Sequence, residues 1–482
     1  MHRAVGVDRR VAQDCVHTDV CVIGAGPAGI CLASRLAQLG HDVCLVERTP
    51  FPRSRLGESL SPGVLALLDA IGASEAVTRA GFARVREVLV HWEEERPYLR
   101  EDPDARGMVV DRGLFDRLLL DHSRSLGVRV LNPAVIRGRR CDEAGHTISV
   151  DSGGARLDIR ATFLADASGR AGALRAQRRR TGRRTLALYG YWIGADLPRQ
   201  PRIEAAAEAW FWGVPLPDGS YNTQVFVDWD RARDRCTTSV ERDFHALIHG
   251  STLLAGCGDA RLRSRVRAID ATPYLDEESV TRSTIKVGDA GLALDPLSST
   301  GVQKAIQTAL AGAIVINTLL RRPGLADAAM HFYGNSLADA SARHSAWAAD
   351  HYRSAAGRFG SRFWSDRAAG AGPSPPQGPT GNRARSRAPD APLAPSPQIK
   401  VVDLPCLEGD FVTIKPSVQH PKLDGPLTFL GGYDLAALLR LLRPGMTPRA
   451  IAFAWSGCVP LSSAMAITDW LFDRGLLVPH GG

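Results

Sequence analysis

The residues best suited to chemistry come early, in a glycine turn. Gly24-Ala25-Gly26-Pro27-Ala28-Gly29 fits the pattern G-x-G-x-x-G. It follows a strand-like run, Asp19 to Ile23, and opens a helical stretch, Ala28 to Leu39, that Gly40 closes. A second strand-like run, Asp42 to Val46, leads into Glu47. In such a βαβ unit the first glycine permits the tight turn, and the second lets a pyrophosphate approach the backbone. The third allows close helix–sheet packing, and the helix N-terminus offsets phosphate charge. Glu47 is placed to accept from ribose hydroxyls, which predicts an adenosine without a 2′-phosphate. The expected dinucleotide contacts are Gly24, Gly26, Pro27, Ala28, Gly29, Glu47 and its neighbour Arg48.

These residues need a scaffold, and the composition allows one. The 482 residues are 44% apolar and 23% charged, enough to bury sizeable cores. The net charge of +8 rests on arginine: only five of the 59 basic residues are lysines, and none precedes Lys286. A lysine nucleophile is therefore excluded from the N-terminal part. The densest run, Arg170 to Arg184, holds seven arginines. It reads as a solvated loop or strand edge, or else as a dock for an acidic partner or a nicotinamide phosphate. Nine cysteines without a CxxC pair point to a reducing compartment, so a cytoplasmic location is expected, and no metal. Met1 to His17 lacks the apolar core of a secretion signal. The most apolar helix candidate, Val302 to Leu320, is broken by Gln303, Lys304, Gln307 and Asn317, so no membrane span is expected.

Further strand-like runs lie at Met108 to Val110, Val128 to Leu131, Thr147 to Val150 and Thr162 to Ala165. From about Arg183 to Asp230, aromatic and polar residues alternate around Pro217-Asp218-Gly219-Ser220, a hairpin signal. We read this region as a sheet roofing a substrate pocket. Residues 366–398 contain eight prolines and almost no large apolar side chain, the composition of a disordered or extended linker. The expected division is an N-terminal extension (1–17) and a dinucleotide-binding domain in two parts (18–182 and 281–365). An excursion near 80–105 and a sheet domain (183–280) complete the body, followed by the linker (366–398) and a tail (399–482). The tail shows strand-like pieces at Gly409 to Ile414 and Leu427 to Leu430. Its helical candidates are Tyr433 to Leu442, Thr447 to Ser456 and Leu461 to Arg474, a winged-helix-like outline. Ser462 to Asp473 carries no Lys or Arg, so nucleic-acid binding is not expected. The fold class is α/β: a Rossmann-like domain with an inserted β-sheet domain and a small C-terminal domain.

Three further segments resemble FAD-containing aromatic hydroxylases and flavin-dependent halogenases, in the order found there. They are Val110-Asp111-Arg112-Gly113-Leu114-Phe115-Asp116, Asp166-Ala167-Ser168-Gly169-Arg170, and Val287-Gly288-Asp289-Ala290 running through Asp295-Pro296-Leu297-Ser298-Ser299-Thr300-Gly301-Val302. The resemblance implies FAD. It implies that Arg112 reaches toward the flavin and that Asp289 contacts the ribityl chain, although Asp289 also reads as a helix cap. Pro296, Gly301 and Val302 would meet the flavin pyrimidine edge, where the backbone near Thr300 and Gly301 stabilises negative charge.

Two features are similar to the halogenases in particular. Gly57-Glu58-Ser59-Leu60-Ser61-Pro62 resembles their Gly-Glu-x-x-x-Pro loop, and Trp210-Phe211-Trp212-Gly213-Val214-Pro215 resembles their W-x-W-x-I-P stretch. Trp210 and Trp212 share one strand face, which suits either a pocket or plain core packing. The lysine that captures hypohalous acid in that family falls, counting back from Trp92, on Arg84. An arginine keeps its proton and is a poor nucleophile. The glutamate that precedes Ser-Thr-Gly in the tryptophan halogenases is replaced by Ser298, and Lys304 is the only lysine nearby.

The resemblance then implies monooxygenation: reduced FAD and O₂ form a C4a-hydroperoxide whose electrophilic distal oxygen is attacked by an electron-rich indole or phenol ring. Glu58, Thr300 and Gly301 are the candidate catalytic residues, and Trp210, Trp212 and Ser298 the candidate substrate pocket. Glu58 also reads as a cap for the helix beginning near Pro62. NAD(P)H, directly or through a flavin reductase, is the expected reductant. Body, linker and tail together resemble a subgroup that hydroxylates a protein tryptophan destined to become tryptophylquinone. The implied partner is the small quinone-bearing subunit of an amine dehydrogenase. The other readings are a halogenase or hydroxylase of a small aromatic, and an FAD-dependent reductase of an isoprenoid-like chain.

Overall fold

The computed structural model describes residues 14–53, 55–230, 240–369 and 391–480. It divides into two compact units, one from residues 1–323 and 333–373, the other from 324–332 and 374–482. No helix among the described residues is long and apolar enough to cross a membrane.

The first unit begins with a seven-stranded sheet whose central strands, Asp14–Ile23 and Ala155–Asp166, run parallel. Val43–Val46 and Arg129–Leu131 follow in parallel on one side, and Thr284–Lys286 pairs parallel to Ala155–Asp166. Buried on both faces, the strand Val43–Val46 is wholly apolar, as a doubly covered parallel sheet requires. The first strand starts inside the expected N-terminal extension, because residues 14–18 prolong the ladder against Leu157–Ala161. The glycine turn feeds the helix Pro27–Gln38, whose face Ile30, Leu32, Ala33 and Leu36 is fully buried. Pro27 at its first position costs nothing, since that N–H has no intrahelical acceptor.

An eight-stranded sheet forms the second layer. Its strands run in the order Arg261–Leu262, Thr185–Ile193, Tyr221–Asp228, Ala209–Pro215, Arg202–Ala206, Glu87–His91 and Tyr98–Glu101. A further strand, Arg267–Asp270, also pairs with Thr185–Ile193. Alternation gives this sheet two faces. One carries Leu188, Trp192, Phe211 and Val225 against Phe244 and Ile248. The other carries Ala187, Trp210 and Phe226, which pack with Tyr352, Phe363 and Trp364 from the helices Ala326–Phe359 and Arg362–Ala368. Trp210 stacks on Phe226 with ring centres 3.7 Å apart.

Both ends of the expected linker carry defined elements. Residues 370–390 lie outside the described residues. At its start, Asp366–Ala368 closes a helix in which Arg367 pairs with Asp228 at 2.6 Å. At its end, Leu393–Pro395 is a strand on Leu477–Pro479. Specific partners for single residues override a polar, proline-rich average.

The second unit has a core of its own around Leu435, Ile451, Trp455, Ala464 and Leu471. Its helices are Leu435–Arg440, Pro448–Ala454 and Leu461–Asp473. Asp434 and Thr447 cap the first two through their side chains. The hairpin Lys400–Glu408 with Phe411–Gln419 turns at Gly409-Asp410, so the expected strand Gly409 to Ile414 covers the turn and half of one arm.

Candidate active site: a cavity between glycine turn and roof sheet

Each glycine of the turn answers a different steric demand. Gly24 has φ +100° and its missing Cβ would sit 2.6 Å from the Ala167 carbonyl oxygen. Gly29 is tighter still, since a Cβ there would lie 1.8 Å from the Gly24 oxygen. Gly26 has nothing within 4 Å, so its backbone is open to a guest. Close contact at the outer two glycines and open space at the middle one suit a dinucleotide pyrophosphate at the N-terminus of Pro27–Gln38.

This turn opens one end of a cavity of about 810 Å³ within the first unit. Of the expected cofactor contacts, Gly24, Gly26, Pro27, Ala28, Glu47, Arg48, Arg112, Asp289, Pro296, Gly301 and Val302 line it, whereas Gly29 does not, being packed against the Gly24 oxygen. Glu47 is buried and already engaged: Ala25 N–H donates to it at 2.9 Å, Thr49 N–H at 2.8 Å, and Arg53 pairs with it at 2.8 Å. Burial alone would raise its carboxyl, but Arg53 and the two N–H donors hold it below the usual range. A carboxylate has about four acceptor sites, so capacity for ribose hydroxyls remains. Arg53, which also donates to the Ala25 carbonyl at 2.6 Å, escaped the sequence reading.

In the middle of the cavity, Arg112 forks onto Asp116 with bonds of 3.0 and 3.1 Å. It also donates to the Leu56 carbonyl at 2.9 Å, fixing the loop that bears Glu58. Burial would lower the guanidinium's pKa, but the adjoining Asp116 raises it. Glu58 does not cap a helix. Its Oε1 accepts from the Tyr191 hydroxyl at 2.7 Å and its Oε2 from Gly57 N–H at 2.9 Å. Only 3% exposed, its carboxyl is pushed up by burial, against the pull of Tyr191, the backbone and Arg112. Burial and Glu58 raise the Tyr191 hydroxyl in turn, which keeps it a donor.

Asp289 is held by Lys304 at 2.5 Å and faces Arg170 at 3.7 Å. Burial raises its carboxyl, yet Lys304 and Arg170 bring it below the ordinary value. Lys304 itself is buried, bonds the Leu292 carbonyl as well, and does not line the cavity. Arg170 does line it, so the first arginine of the basic run is a site residue rather than a solvated one.

Two expectations need correction. Ser298 and Thr300 are not among the lining residues. Pro296–Ser298 is a tight 3₁₀ turn followed by Ser299 in the left-handed region, φ +52°. That turn sends the Ser298 hydroxyl toward His344 (2.8 Å) and Thr300 (2.7 Å) instead of the cavity. Ser299 and Gly301 line it in their place, the latter opening the 21-residue helix Gly301–Arg321.

The other end of the cavity is the roof sheet, in two rows across its strands. Trp212, Gln224, Tyr189 and Arg267 stand in one register row, and Trp210, Phe226, Ala187 and Ile269 in another. All but Ala187 line the cavity. Trp92, the reference point for Arg84, is buried against Trp210 and Trp364 and donates to the His351 carbonyl at 2.9 Å. Arg84 is exposed and absent from the lining, which includes no lysine among the described residues.

Comparison with known proteins agrees with this geometry. A family model for an FAD binding domain matches residues 17–249. The tryptophan 2-halogenase of Chondromyces crocatus is 32% identical over 324 residues, 63% of this chain and 62% of that protein. This chain thus spans less than two thirds of that relative's length. Among solved structures, the peptidyl tryptophan dihydroxylase QhpG, essential for tryptophylquinone cofactor biogenesis, is 29% identical with a TM-score of 0.73. That match covers 95% of this chain and 100% of QhpG. The chondrochloren halogenase CndH is 27% identical with a TM-score of 0.66, covering 73% of this chain and 86% of its own. Fold, cradle and the matched model are those of an FAD-binding flavoprotein, and the relatives are flavin-dependent enzymes. Within that class its sequence is similar to a tryptophan halogenase and its fold to a peptidyl tryptophan dihydroxylase.

Proposed function

We propose that this protein is an FAD-dependent monooxygenase that inserts oxygen into the indole ring of a tryptophan in a partner protein, during tryptophylquinone cofactor biogenesis. One observation carries oxygen over halogen: no lysine lines the cavity among the described residues, so no side-chain amine is there to capture hypohalous acid. The likeness to QhpG, which extends through the C-terminal unit, supports a protein tryptophan as substrate.

Bound FAD, once reduced by NAD(P)H directly or through a flavin reductase, supplies an electrophilic oxygen atom drawn from O₂, the other atom leaving as water. The chain's own residues do the remainder. The glycine turn and Glu47 bind the adenosine half. The N-terminus of Gly301–Arg321 offsets negative charge on the flavin. Trp210, Trp212 and Phe226 give an apolar wall against which a ring is oriented and from which water is excluded. The oxygenated ring must shed a proton to regain aromaticity, and Glu58 is the carboxylate we assign to receive it. Tyr191 and Gly57 hold that carboxylate in position.

The test is mass spectrometry of the small quinone-bearing subunit after incubation with holoenzyme, reductant and heavy-isotope O₂. One or two heavy oxygens should appear on a single tryptophan, with or without halide. An unchanged mass for that subunit would refute the proposal. The sequence likeness to a tryptophan 2-halogenase favours a second reading, in which the product gains halogen only when chloride or bromide is present.

A further inference from the structure

The roof sheet ends at the cavity in an incomplete edge. Arg267–Asp270 pairs on one side with Thr185–Ile193 and has no other strand partner among the described residues. All four of its residues are exposed. Arg261–Leu262 lies along the same strand further on, and Arg263 N–H bonds the Tyr191 carbonyl between them at 2.7 Å. Residues 261–270 therefore form one border of the sheet.

Alternation assigns the backbone groups of that border. Ala271 N–H donates inward to the Thr185 carbonyl at 2.9 Å, so the inward groups of the strand belong to Arg267 and Ile269. Those of Ala268 and Asp270 point outward, along the free edge. The side chains of Arg267 and Ile269 meanwhile line the cavity and end the two rows described above. A strand added to this edge would lie about 4.8 Å further on and lengthen each row by one residue. A tryptophan in that strand, level with Arg267 or Ile269, would be delivered onto the cavity face.

Charge narrows the occupant. Arg261, Arg263, Arg265 and Arg267 recur at every second position. Arg263 pairs with Asp218, whereas Arg261, Arg265 and Arg267 make no ion pair among the described residues. We propose that this border is the docking edge for the protein substrate, which adds to it as an extended, acidic segment carrying the target tryptophan. The proposal rests on the protein-tryptophan reading above and names how such a substrate is held. The competing role for these arginines is to guard an open edge against self-association.

The experiment uses holoenzyme and two short synthetic peptides, each with a central tryptophan, one flanked by aspartate and glutamate and one by lysine. Binding is followed by fluorescence anisotropy and oxygen insertion by mass spectrometry. The acidic peptide should bind roughly tenfold tighter, with an affinity that falls as salt rises. Two independent variants should each weaken its binding about tenfold at unchanged FAD content. R261E with R265E reverses exposed charge outside the cavity lining, and A268P deletes an outward N–H while sparing the inward ladder. Equal binding of both peptides, or variants that bind as the native protein does, would overturn the docking edge. Oxygen insertion into a peptide that binds without this preference would overturn it too, while upholding the reaction. Tight, charge-selective binding with no oxygen inserted would instead sink the proposed reaction and keep the edge.

Discussion

The two ends of the cavity are built by different means. At the cofactor end the backbone does the work: Gly24 and Gly29 exist to let chain segments approach, and Gly26 leaves its space to a guest. At the roof end the backbone is a regular sheet, and all the character comes from side chains aligned across four strands. A backbone site tolerates almost no substitution and reads out one ligand class. A side-chain row can be rewritten residue by residue without disturbing the ladder beneath it. The contrast explains how one cradle serves proteins that halogenate and proteins that hydroxylate.

The contrast can be broken or sharpened by substitution. The largest effect is expected at the joint between the ends, where D116A leaves the Arg112 guanidinium buried and unpaired. A loss of about 3–5 kcal/mol in chemical denaturation is expected, with loss of flavin. Next comes the cradle itself. G29A drives a methyl into the Gly24 carbonyl and should cost about 3 kcal/mol, whereas G26A should melt as the native apoprotein does and lose only FAD affinity, measured by flavin fluorescence. Equal destabilisation by both would erase the distinction drawn between the glycines. On the roof, W212F should leave melting within about 1 kcal/mol and raise KM for the proposed indole substrate, since Trp212 is half-buried at the cavity wall.

The smallest effect is a matter of pH. Burial raises the Glu58 carboxyl above its value in the unfolded chain. Only between those two values does the folded protein retain a proton that the unfolded chain has released, so stability present below the ordinary carboxylate range is lost as pH rises through the raised value. E58Q cannot ionise. It should melt above the native protein at neutral pH, with the difference closing as the solution is acidified. A constant difference across pH would show that Glu58 titrates normally.

How much of this was legible in the sequence follows the same division. The glycine turn, Glu47 and Arg112 were readable because their demands are local and their spacing is fixed by one strand and one helix. Asp116 was within reach, four residues after Arg112 on the same helix face. Tyr191 was not, since its bond to Glu58 joins segments 133 residues apart and depends on sheet register. The strand Arg267–Asp270 was missed because only four exposed residues separate it from a loop pattern. Ser298 and Thr300 were misplaced because a local motif cannot show that Ser299 enters the left-handed region and rotates its neighbours away.

The scarcity of lysine has a practical consequence. Lys286 and Lys304 are buried in ion pairs with Asp276 and Asp289, whereas Lys400 and Lys422 are exposed in the second unit and Lys415 is half-buried there. Acylating dyes and amine-directed cross-linkers would therefore find their accessible lysines in the second unit alone. That unit can be labelled, tethered to a surface or mapped against a partner while the chemistry of the cavity is left untouched.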